Sequence, residues 1–335
     1  MKKTIRIISI LIIFILIFIF LNILLKPKYA ESLVEGGMIR EYYNETKDHE
    51  VIFIGDCEVY ANFSPMVMYE QEGIKAYIRG SSQQMIWQSY YILKETLKYE
   101  TPKVVVFNVN SMRYGKESQE VSEAYNRLTI ENMKWSKEKV EIIKASMTEE
   151  ETFLSYVFPI LRYHSRYDKL TGEDFEYLFK TKQITHNGFL INKNIKPVGN
   201  LPTKRKLASY QFNSECYEYL DKITELCKQK NIQLVLIKAP SLYPYWYDEY
   251  EEQIKQYAEK HNIDYYNLLE KAEEIGIDYT TDTYDAGLHL NLTGATKLSK
   301  YFAKILAEKY NLTDYTGDDI YDKKLIDYNT AIQAN

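Results

Sequence analysis

The chain has 335 residues, with 42 Lys and Arg against 47 Asp and Glu, which gives a formal net charge of −5. Its 45% hydrophobic and 27% charged residues exclude a wholly disordered chain, and its length allows a sizeable core. The mild acidity argues against nucleic acid as a partner, because that partner needs a clustered basic face. Three Cys are too few for a disulfide framework in a chain this long.

The N-terminal segment is the first predicted element. Residues 7–25 are apolar apart from Ser9 and Asn22, and this length is close to the roughly 20 residues that span a bilayer core. Residues 10–21 are all large and apolar, so a helix here has no polar face for water. A cleaved signal peptide is the alternative, but its apolar core is shorter and ends in a small-x-small site, whereas the first small residue here is Ala30. We therefore predict an uncleaved membrane anchor over residues 1–28.

The charges that flank this segment predict its orientation. Three basic residues and the amino terminus precede it, and only Lys26 and Lys28 follow closely. The positive-inside rule then keeps the N-terminus in the cytoplasm and exports the remainder. Without the three N-terminal basic residues, the rest of the chain carries 39 basic and 47 acidic groups, a net charge of −8. A cytoplasmic enzyme without an anchor is the alternative.

The rest of the chain alternates between apolar runs and helical patterns. Residues 29–48 are polar and lack periodicity, which predicts a stalk. Short apolar runs then predict five strands, at 51–55, 74–78, 103–107, 233–237 and 263–266. Helical patterns occupy 83–98 (with Ser81 or Ser82 as N-cap), 217–229, 249–260 and 294–310. Continuous apolar strands that alternate with helices indicate a parallel sheet covered on both faces.

Two further segments complete the predicted organisation. Residues from about 115 to 210 interrupt the alternation, with helical character at 120–144 and 149–158 and with loops up to Pro202, so we predict a helical insertion. The main domain is expected at 49–312. Residues 313–335 are polar and predict a loosely ordered tail.

Four short polar segments fall where a ligand would bind. In open parallel sheets, ligands bind at the carboxyl ends of the strands. Three segments follow the first three strands, and the fourth precedes the final helix: Gly55-Asp56-Cys57-Glu58, Arg79-Gly80-Ser81, Asn108-Val109-Asn110-Ser111, and the run from Asp282 to Asn291.

In this order the four segments resemble the motifs of the SGNH/GDSL hydrolase superfamily. The resemblance implies a three-layer α/β/α fold with a five-stranded parallel, flavodoxin-like sheet. It also implies that Cys57 occupies the nucleophile position and that Asp285 and His289 supply the catalytic carboxylate and imidazole. Gly80, with Asn108 or Asn110, would then form the oxyanion hole.

The C-terminal motif narrows this resemblance. His289-Leu290-Asn291 followed by Gly294-Ala295 is most similar to the membrane-anchored branch that acts on cell-wall polymers, which includes the D-alanyl-transfer proteins of teichoic-acid modification and polysaccharide O-acetyl enzymes. This implies an extracytoplasmic esterase or O-acyltransferase without a cofactor. Its substrate would be an acylated polysaccharide or teichoic acid, and its partner a membrane acyltransferase.

The nucleophile position departs from the superfamily pattern, because Cys57 replaces the usual Ser. A thiol paired with an imidazole is a competent acyl acceptor, since the thiolate is a strong nucleophile. The alternative is an inert Cys57 in an inactive protein that binds glycans or scaffolds envelope biosynthesis, because a free Cys is often a small core residue.

The carboxylate and the oxyanion donor also have alternatives. The superfamily places its Asp three residues before the His, and that position is Ala286. A one-residue bulge would let Asp285 orient His289, which we prefer over Asp282, and a Cys–His dyad needs no carboxylate. Asn108 and Asn110 are equally suited as oxyanion donors, and either could instead be a turn residue.

Two residues are predicted to bind substrate. Arg79 follows the second strand, and Trp246 lies in the aromatic run Tyr243-Pro244-Tyr245-Trp246-Tyr247 after the fourth strand, where it could stack on a sugar ring or simply pack. No group of His, Cys and Asp has the spacing of metal ligands, so no metal is predicted.

Overall fold

The computed structural model describes residues 2–28, 33–180, 182–201 and 203–334. At its centre lies a five-stranded parallel sheet with strand order β2-β1-β3-β4-β5. The strands are β1 (Val51–Gly55), β2 (Ala76–Gly80), β3 (Val104–Asn108), β4 (Gln233–Lys238) and β5 (Asp264–Asn267). The first three are buried along their whole length, which explains their continuous apolar sequences. The predicted α/β class and parallel sheet are confirmed, with strands that begin up to two residues later than predicted.

Fifteen α-helices occur in the described residues. They are α1 (Lys2–Leu25), α2 (Glu35–Glu41), α3 (Cys57–Asn62), α4 (Pro65–Glu72), α5 (Ile86–Thr96), α6 (Glu123–Ile130), α7 (Lys137–Ser146), α8 (Phe153–Val157), α9 (Ile160–Tyr163), α10 (Gly172–Glu176), α11 (Ser214–Gln229), α12 (Asp248–His261), α13 (Ala272–Ile275), α14 (Leu292–Lys309) and α15 (Asp319–Gln333).

The helices cover both faces of the sheet and give the three-layer arrangement. Successive strand residues point to opposite faces, so Ile52 and Ile54 pack towards α5, α7, α11 and α12, while Val51 and Phe53 pack towards α3, α4 and α14. Each face has its own buried cluster of hydrophobic side chains. The layers leave one edge open, where the carboxyl ends of the strands meet the loops.

Helix α1 differs from the others, because most of its large apolar side chains are exposed. Its length and composition would allow it to cross a membrane, as they would for a signal sequence. At its C-terminal end the carbonyls are capped by basic side chains: Lys28 Nζ donates to the oxygen of Leu24 (3.2 Å), and Arg166 donates to that of Leu25 (2.7 Å). These contacts tie the apolar helix to the rest of the chain.

The predicted helical insertion lies between β3 and β4, with boundaries that differ from those expected. The helix predicted at 120–144 is interrupted after α6, and α7 begins after Ser136, whose hydroxyl accepts the N–H of Lys139 (3.1 Å) as an N-cap. Of the segment 149–158, only α8 is helical. Pro202, up to which the loops of the insertion were predicted to extend, lies outside the described residues.

The N-cap predicted for α5 is wrong. Helix α5 begins after Met85, not at Ser81 or Ser82. The hydroxyl of Ser81 is fully buried and pairs with Thr129 of α6 (2.6 Å) and with the side chain of Gln84. The hydroxyl oxygen of Ser81 is therefore engaged by a residue of α6 and does not cap α5.

The expected stalk and tail contain ordered helices. Residues 29–32 lie outside the described residues, but within the segment 33–48 helix α2 buries Met38 and Ile39, and Tyr42 follows them into the core. In the C-terminal segment, helix α15 packs on α4 through Tyr321 and Tyr328, both almost fully buried. Tyr321 and Tyr328 are seven residues apart, so they lie on the same face of α15. This buried face was not apparent from the sequence, because most residues of the segment are polar.

Candidate active site

Cys57 lies at the carboxyl edge of the sheet, where β1 turns sharply into α3. Gly55 makes this turn possible, because its φ is +155° and an added Cβ would lie 3.1 Å from the Cβ of Asn108. Asp56 then caps α3 by accepting the N–H of Glu58 (3.1 Å). Cys57 is partly exposed as a residue, whereas the other two cysteines are buried.

His289 and Asp285 form a close pair in the loop before α14. Nδ1 of His289 lies 2.6 Å from Oδ2 of Asp285, and the backbone N–H of His289 donates to Oδ1 (2.7 Å). Ala286 and Gly287, with φ values of 65° and 95°, make the bend that brings the carboxylate back to the imidazole. This bend provides the bulge expected from the sequence spacing. Asp282 instead contacts Lys297 Nζ (2.6 Å) and does not approach the imidazole.

The loop that carries His289 is attached to the helix that carries Cys57. Asn62, the last residue of α3, accepts the N–H of Leu290 through its side-chain oxygen (2.8 Å). Thr283 holds the loop closed by donating to the carbonyl of His289 (2.7 Å). The ring of Tyr284 stacks on the imidazole, with centroids 5.6 Å apart and planes 12° apart. These contacts fix the position and orientation of His289 relative to Cys57.

The thiol of Cys57 and the imidazole of His289 are neighbours, although no regular hydrogen bond joins them in the described residues. Because Nδ1 is engaged by Asp285, Nε2 is the nitrogen left for the thiol, and it is buried without a regular hydrogen bond in the described part of the chain. The contact is close enough for each group to shift the pKa of the other. Long contacts between catalytic groups are common without substrate, and they shorten when one binds.

The electrostatic surroundings set the protonation of this pair. Burial raises the pKa of the Cys57 thiol; His289 opposes the shift, and the carboxylates of Asp56 and Glu58 add to it. Burial disfavours the charged form of His289, but Cys57 and the carboxylate of Asp285 outweigh it and raise the imidazole pKa well above its usual value. The thiol of Cys57 therefore binds its proton more tightly than usual, and transfer of that proton to Nε2 of His289 gives a thiolate beside an imidazolium.

The raised thiol pKa predicts how Cys57 reacts with alkylating agents. The alkylation rate by iodoacetamide should rise with pH, with a midpoint above the value of about 8.5 for an unperturbed thiol, because only the thiolate reacts. His289→Ala should move the midpoint to still higher pH, since His289 lowers the thiol pKa. Mass spectrometry of the labelled peptide measures the rate at each pH.

The matched control for this measurement is Cys57→Ser. It should remove fast labelling, because Cys216 and Cys227 are buried. A midpoint below that of an ordinary thiol would contradict the prediction and would indicate a thiolate–imidazolium pair already formed at neutral pH.

The two candidate oxyanion asparagines differ in their free donors. Asn108 uses both side-chain N–H groups, one to Asp56 (3.1 Å) and one to Glu58 (2.9 Å). Asn110 donates one N–H to Asp56 (2.6 Å), and its second N–H has no acceptor in the described ranges. The side chain of Asn110 therefore has a donor to offer a ligand, and that of Asn108 has none.

Gly80, the other predicted oxyanion residue, lies beside the turn that carries Cys57. It pairs with Gly55 across the two strands. A Cβ at this position would lie 2.6 Å from Val59 and 3.2 Å from the carbonyl oxygens of Gly55 and Asp56, so only glycine allows this approach.

A buried charge network lies beneath the turn, and its ion pair of Glu58 and Lys238 was not predicted from the sequence. Lys238 Nζ contacts both carboxylate oxygens of Glu58 at 3.1 Å, and both side chains are essentially inaccessible. Asn108 links Glu58 to Asp56, and its side-chain oxygen accepts the N–H of Ala239 (3.2 Å). The network joins the ends of β1, β3 and β4. In the sequence, the only sign of this network is that Lys238 follows directly on the apolar residues of β4.

The prediction that Arg79 binds substrate is wrong. Its side chain is 1% exposed, and its guanidinium pairs with Glu95 of α5 (2.8 Å) and lies 3.9 Å from the ring of Tyr42. The alternation of side chains along β2 directs it to the α5 face of the sheet and away from the carboxyl edge. Arg79 therefore stabilises the packing of α2 and α5.

Trp246 is also engaged within the protein. Its ring N–H donates to Glu251 (2.8 Å), and the ring packs on Tyr250 at 5.6 Å. The residues around it line a cavity of about 390 Å³ that includes Arg113, Tyr114 and several tyrosines of the same aromatic run. Arg113 contacts the side-chain oxygen of Asn110 (3.1 Å), so this cavity, here called the tyrosine cavity, adjoins the candidate site.

Among the described residues, no group of His, Cys, Asp and Glu has the arrangement of a metal site.

No family model and no curated protein match the sequence. A solved structure from Bacteroides fragilis, described provisionally as an acylhydrolase, superposes with a TM-score of 0.40 and 11% identity over 80% of this chain and 94% of that chain. The fold class rests on the topology of the sheet itself.

Proposed function

We propose that this protein is a membrane-anchored esterase or O-acyltransferase that uses Cys57, His289 and Asp285. The observation that carries the proposal is the pair of His289 and Asp285 at 2.6 Å, which leaves the other imidazole nitrogen without a partner among the described residues and on the side of Cys57. A nucleophile, a base that contacts it and a group that orients the base are the parts that acyl transfer requires.

The proposed reaction begins with proton transfer from Sγ of Cys57 to Nε2 of His289. The thiolate attacks the acyl carbonyl carbon and forms a C–S bond, while the carbonyl oxygen becomes an oxyanion. Gly80 and Asn110 would donate to that oxyanion, and the second side-chain N–H of Asn110, which has no acceptor in the described residues, supports this role. When the C–O bond breaks, His289 returns its proton to the leaving alkoxide. Water or a second hydroxyl then attacks the thioester with His289 as base, and the thiol is restored.

The residues that line the tyrosine cavity favour a substrate that contains sugar rings. Its walls carry tyrosines that can stack on sugar rings, and Arg113 and Arg205 supply positive charge for an anionic polymer. The family resemblance suggests an acylated polysaccharide or teichoic acid. Helix α1 would hold the site at the membrane, with the domain on the outer side, since its flanking charges favour a cytoplasmic N-terminus.

Turnover of an aryl acetate by the full-length protein in detergent micelles tests this proposal. We expect hydrolysis with an acetylated Cys57 peptide detectable by mass spectrometry after acid quenching. Cys57→Ala and His289→Ala should lower kcat/KM by at least about 10³-fold, because removal of a member of such a unit eliminates most of its catalysis.

Cys216→Ala is the matched control, since that thiol is buried away from the site. It should leave turnover within about twofold of the parent. Hydrolysis that survives Cys57→Ala would contradict the mechanism and favour a non-catalytic glycan-binding role for the tyrosine cavity.

A further inference from the structure

A second cavity, distant from Cys57, lies between the C-terminal end of α1 and the helical insertion. Its volume is about 430 Å³. Side chains of two chemical kinds line it. The apolar side chains include Phe18 and Ile23 of α1 and Phe158 of the insertion, and the charged ones are mainly basic: Lys26, Lys28, Arg40 and Lys139. An amphiphile, with an apolar tail and an anionic head, has this same division.

The apolar side lies at the level where α1 would leave a membrane. Phe18 precedes the end of α1 by seven residues, about 10 Å at helical rise. Its ring packs against Phe158 at 5.5 Å, and Asn22 accepts the N–H of Ile160 (3.0 Å). The nearby Leu154 and Leu161 are more than half exposed. The insertion therefore presents apolar side chains to the same depth as the last turns of α1.

The basic side carries more positive charge than its neighbours neutralise. The ammonium groups of Lys26 and Lys139 donate to the backbone oxygen of Glu131 (2.7 and 3.1 Å), and Lys28 donates to the carbonyls that end α1. These acceptors are neutral. The carboxylate of Glu131 is already paired with Arg127 (2.9 Å).

Arg40 adds a fourth cation to the cavity wall. Within the described ranges its guanidinium has no hydrogen bond and no ion pair. The nearby carboxylate of Asp174 is taken by Arg166 (3.1 Å). Guanidinium groups bind phosphate oxygens through two parallel hydrogen bonds, so a free arginine suits an entering phosphate.

The pKa values of the lysines indicate the same excess of positive charge. Burial lowers the pKa of Lys139 to about 7, and the neighbouring Lys26 contributes in the same direction. Burial also lowers the pKa of Lys28 to about 8. A bound anion would offset this effect, because an opposite charge favours the protonated amine.

We propose that this cavity binds the phosphate group of an anionic membrane lipid, with Arg40, Lys26 and Lys139 around the phosphate and an acyl chain along Phe18 and Ile23. The inference goes beyond the proposed catalytic function, and it rests on the membrane location proposed for α1. A lipid held here would fix the height and tilt of the domain above the bilayer.

Binding of short-chain lipids to the full-length protein tests the proposal. Dihexanoyl phosphatidylglycerol, below its critical micelle concentration, should bind at least tenfold more tightly than dihexanoyl phosphatidylcholine by native mass spectrometry. Arg40→Gln should remove this preference. Lys26→Gln should also remove it, and because Lys26 is half-exposed this second variant is expected to fold. Lys137→Gln is the matched control, because Lys137 lies on the same helix as Lys139 but is 77% exposed.

Each further outcome has a defined meaning. Equal binding of the two lipids, or a preference that survives in folded Arg40→Gln and Lys26→Gln, would overturn the proposal. If glycerol 1-phosphate displaces the lipid at equal concentration, the site recognises free phosphate esters and not a lipid. Aryl acetate turnover by Arg40→Gln should match the parent, so failure of the lipid site and failure of the proposed catalysis are distinguishable.

Discussion

Asp285→Asn is expected to lower kcat for aryl acetate hydrolysis by about 10²- to 10⁴-fold. An amide at this position donates its N–H to Nδ1 of His289, which leaves the proton of the neutral imidazole on Nε2. The nitrogen that should accept the thiol proton is then occupied, as in the corresponding substitution in serine proteases. Steady-state kinetics with the parent and the variant measure the loss.

Two companion variants determine the role of the carboxylate. Asp282→Asn should leave kcat nearly unchanged, because Asp282 contacts Lys297 and not the imidazole. Asp285→Ala removes the carboxylate without imposing the wrong tautomer, so its loss should be smaller than that of Asp285→Asn. A kcat within threefold of the parent for both Asp285 variants would indicate a Cys57–His289 dyad that needs no carboxylate.

Lys238→Met is expected to destabilise the protein by about 3–5 kcal/mol, because it leaves the buried carboxylate of Glu58 unpaired. Glu58 and Asp56 would then lie close together without a cation. The destabilisation should be smaller at pH 5 than at pH 8, since protonation of a carboxylate relieves the repulsion, and burial and Glu58 already raise the pKa of Asp56. Guanidinium-induced unfolding at both pH values measures the free energies of unfolding.

The double variant Glu58→Gln/Lys238→Met is the companion experiment. It removes both charges, so most of the lost stability should return. Lys271→Met is the surface control, because its partner Glu274 and Lys271 itself are both more than half exposed, and it should show little change. A loss of stability in the double variant as large as in Lys238→Met would contradict the role of charge pairing in this network.

Strands β1 to β4 were predictable because each is fully or largely buried in a parallel sheet. A strand covered on both faces needs apolar side chains at every position, and this leaves a continuous run in the sequence. Boundaries were less accurate: β2 continues through Arg79 and Gly80, which looked like loop residues. Arg79 is accommodated in the core because Glu95, sixteen residues later, supplies its counter-charge.

The choice between equivalent residues depended on contacts between distant segments. Asp56 and Glu58 accept both side-chain N–H groups of Asn108, whereas Asp56 accepts only one of those of Asn110. Asp285 is preferred to Asp282 because of backbone bends at Ala286 and Gly287. Neither property is encoded in a local pattern, because each depends on where another part of the chain lies.

The sequence by itself determined the α/β class, the five strands, the apolar N-terminal helix and the four segments that carry the candidate site. The spacing of apolar residues was sufficient to predict the strands and helices, and the rule that ligands bind at the carboxyl ends of strands was sufficient to select the four segments. Only the tertiary structure decided that Asn110 and not Asn108 keeps a side-chain N–H without an acceptor in the described residues, that Arg79 is a core residue, and that cations without carboxylate partners meet at the end of α1. The physical reason is that charge pairing and hydrogen bonding join residues far apart in the chain, and only the folded backbone sets their distances.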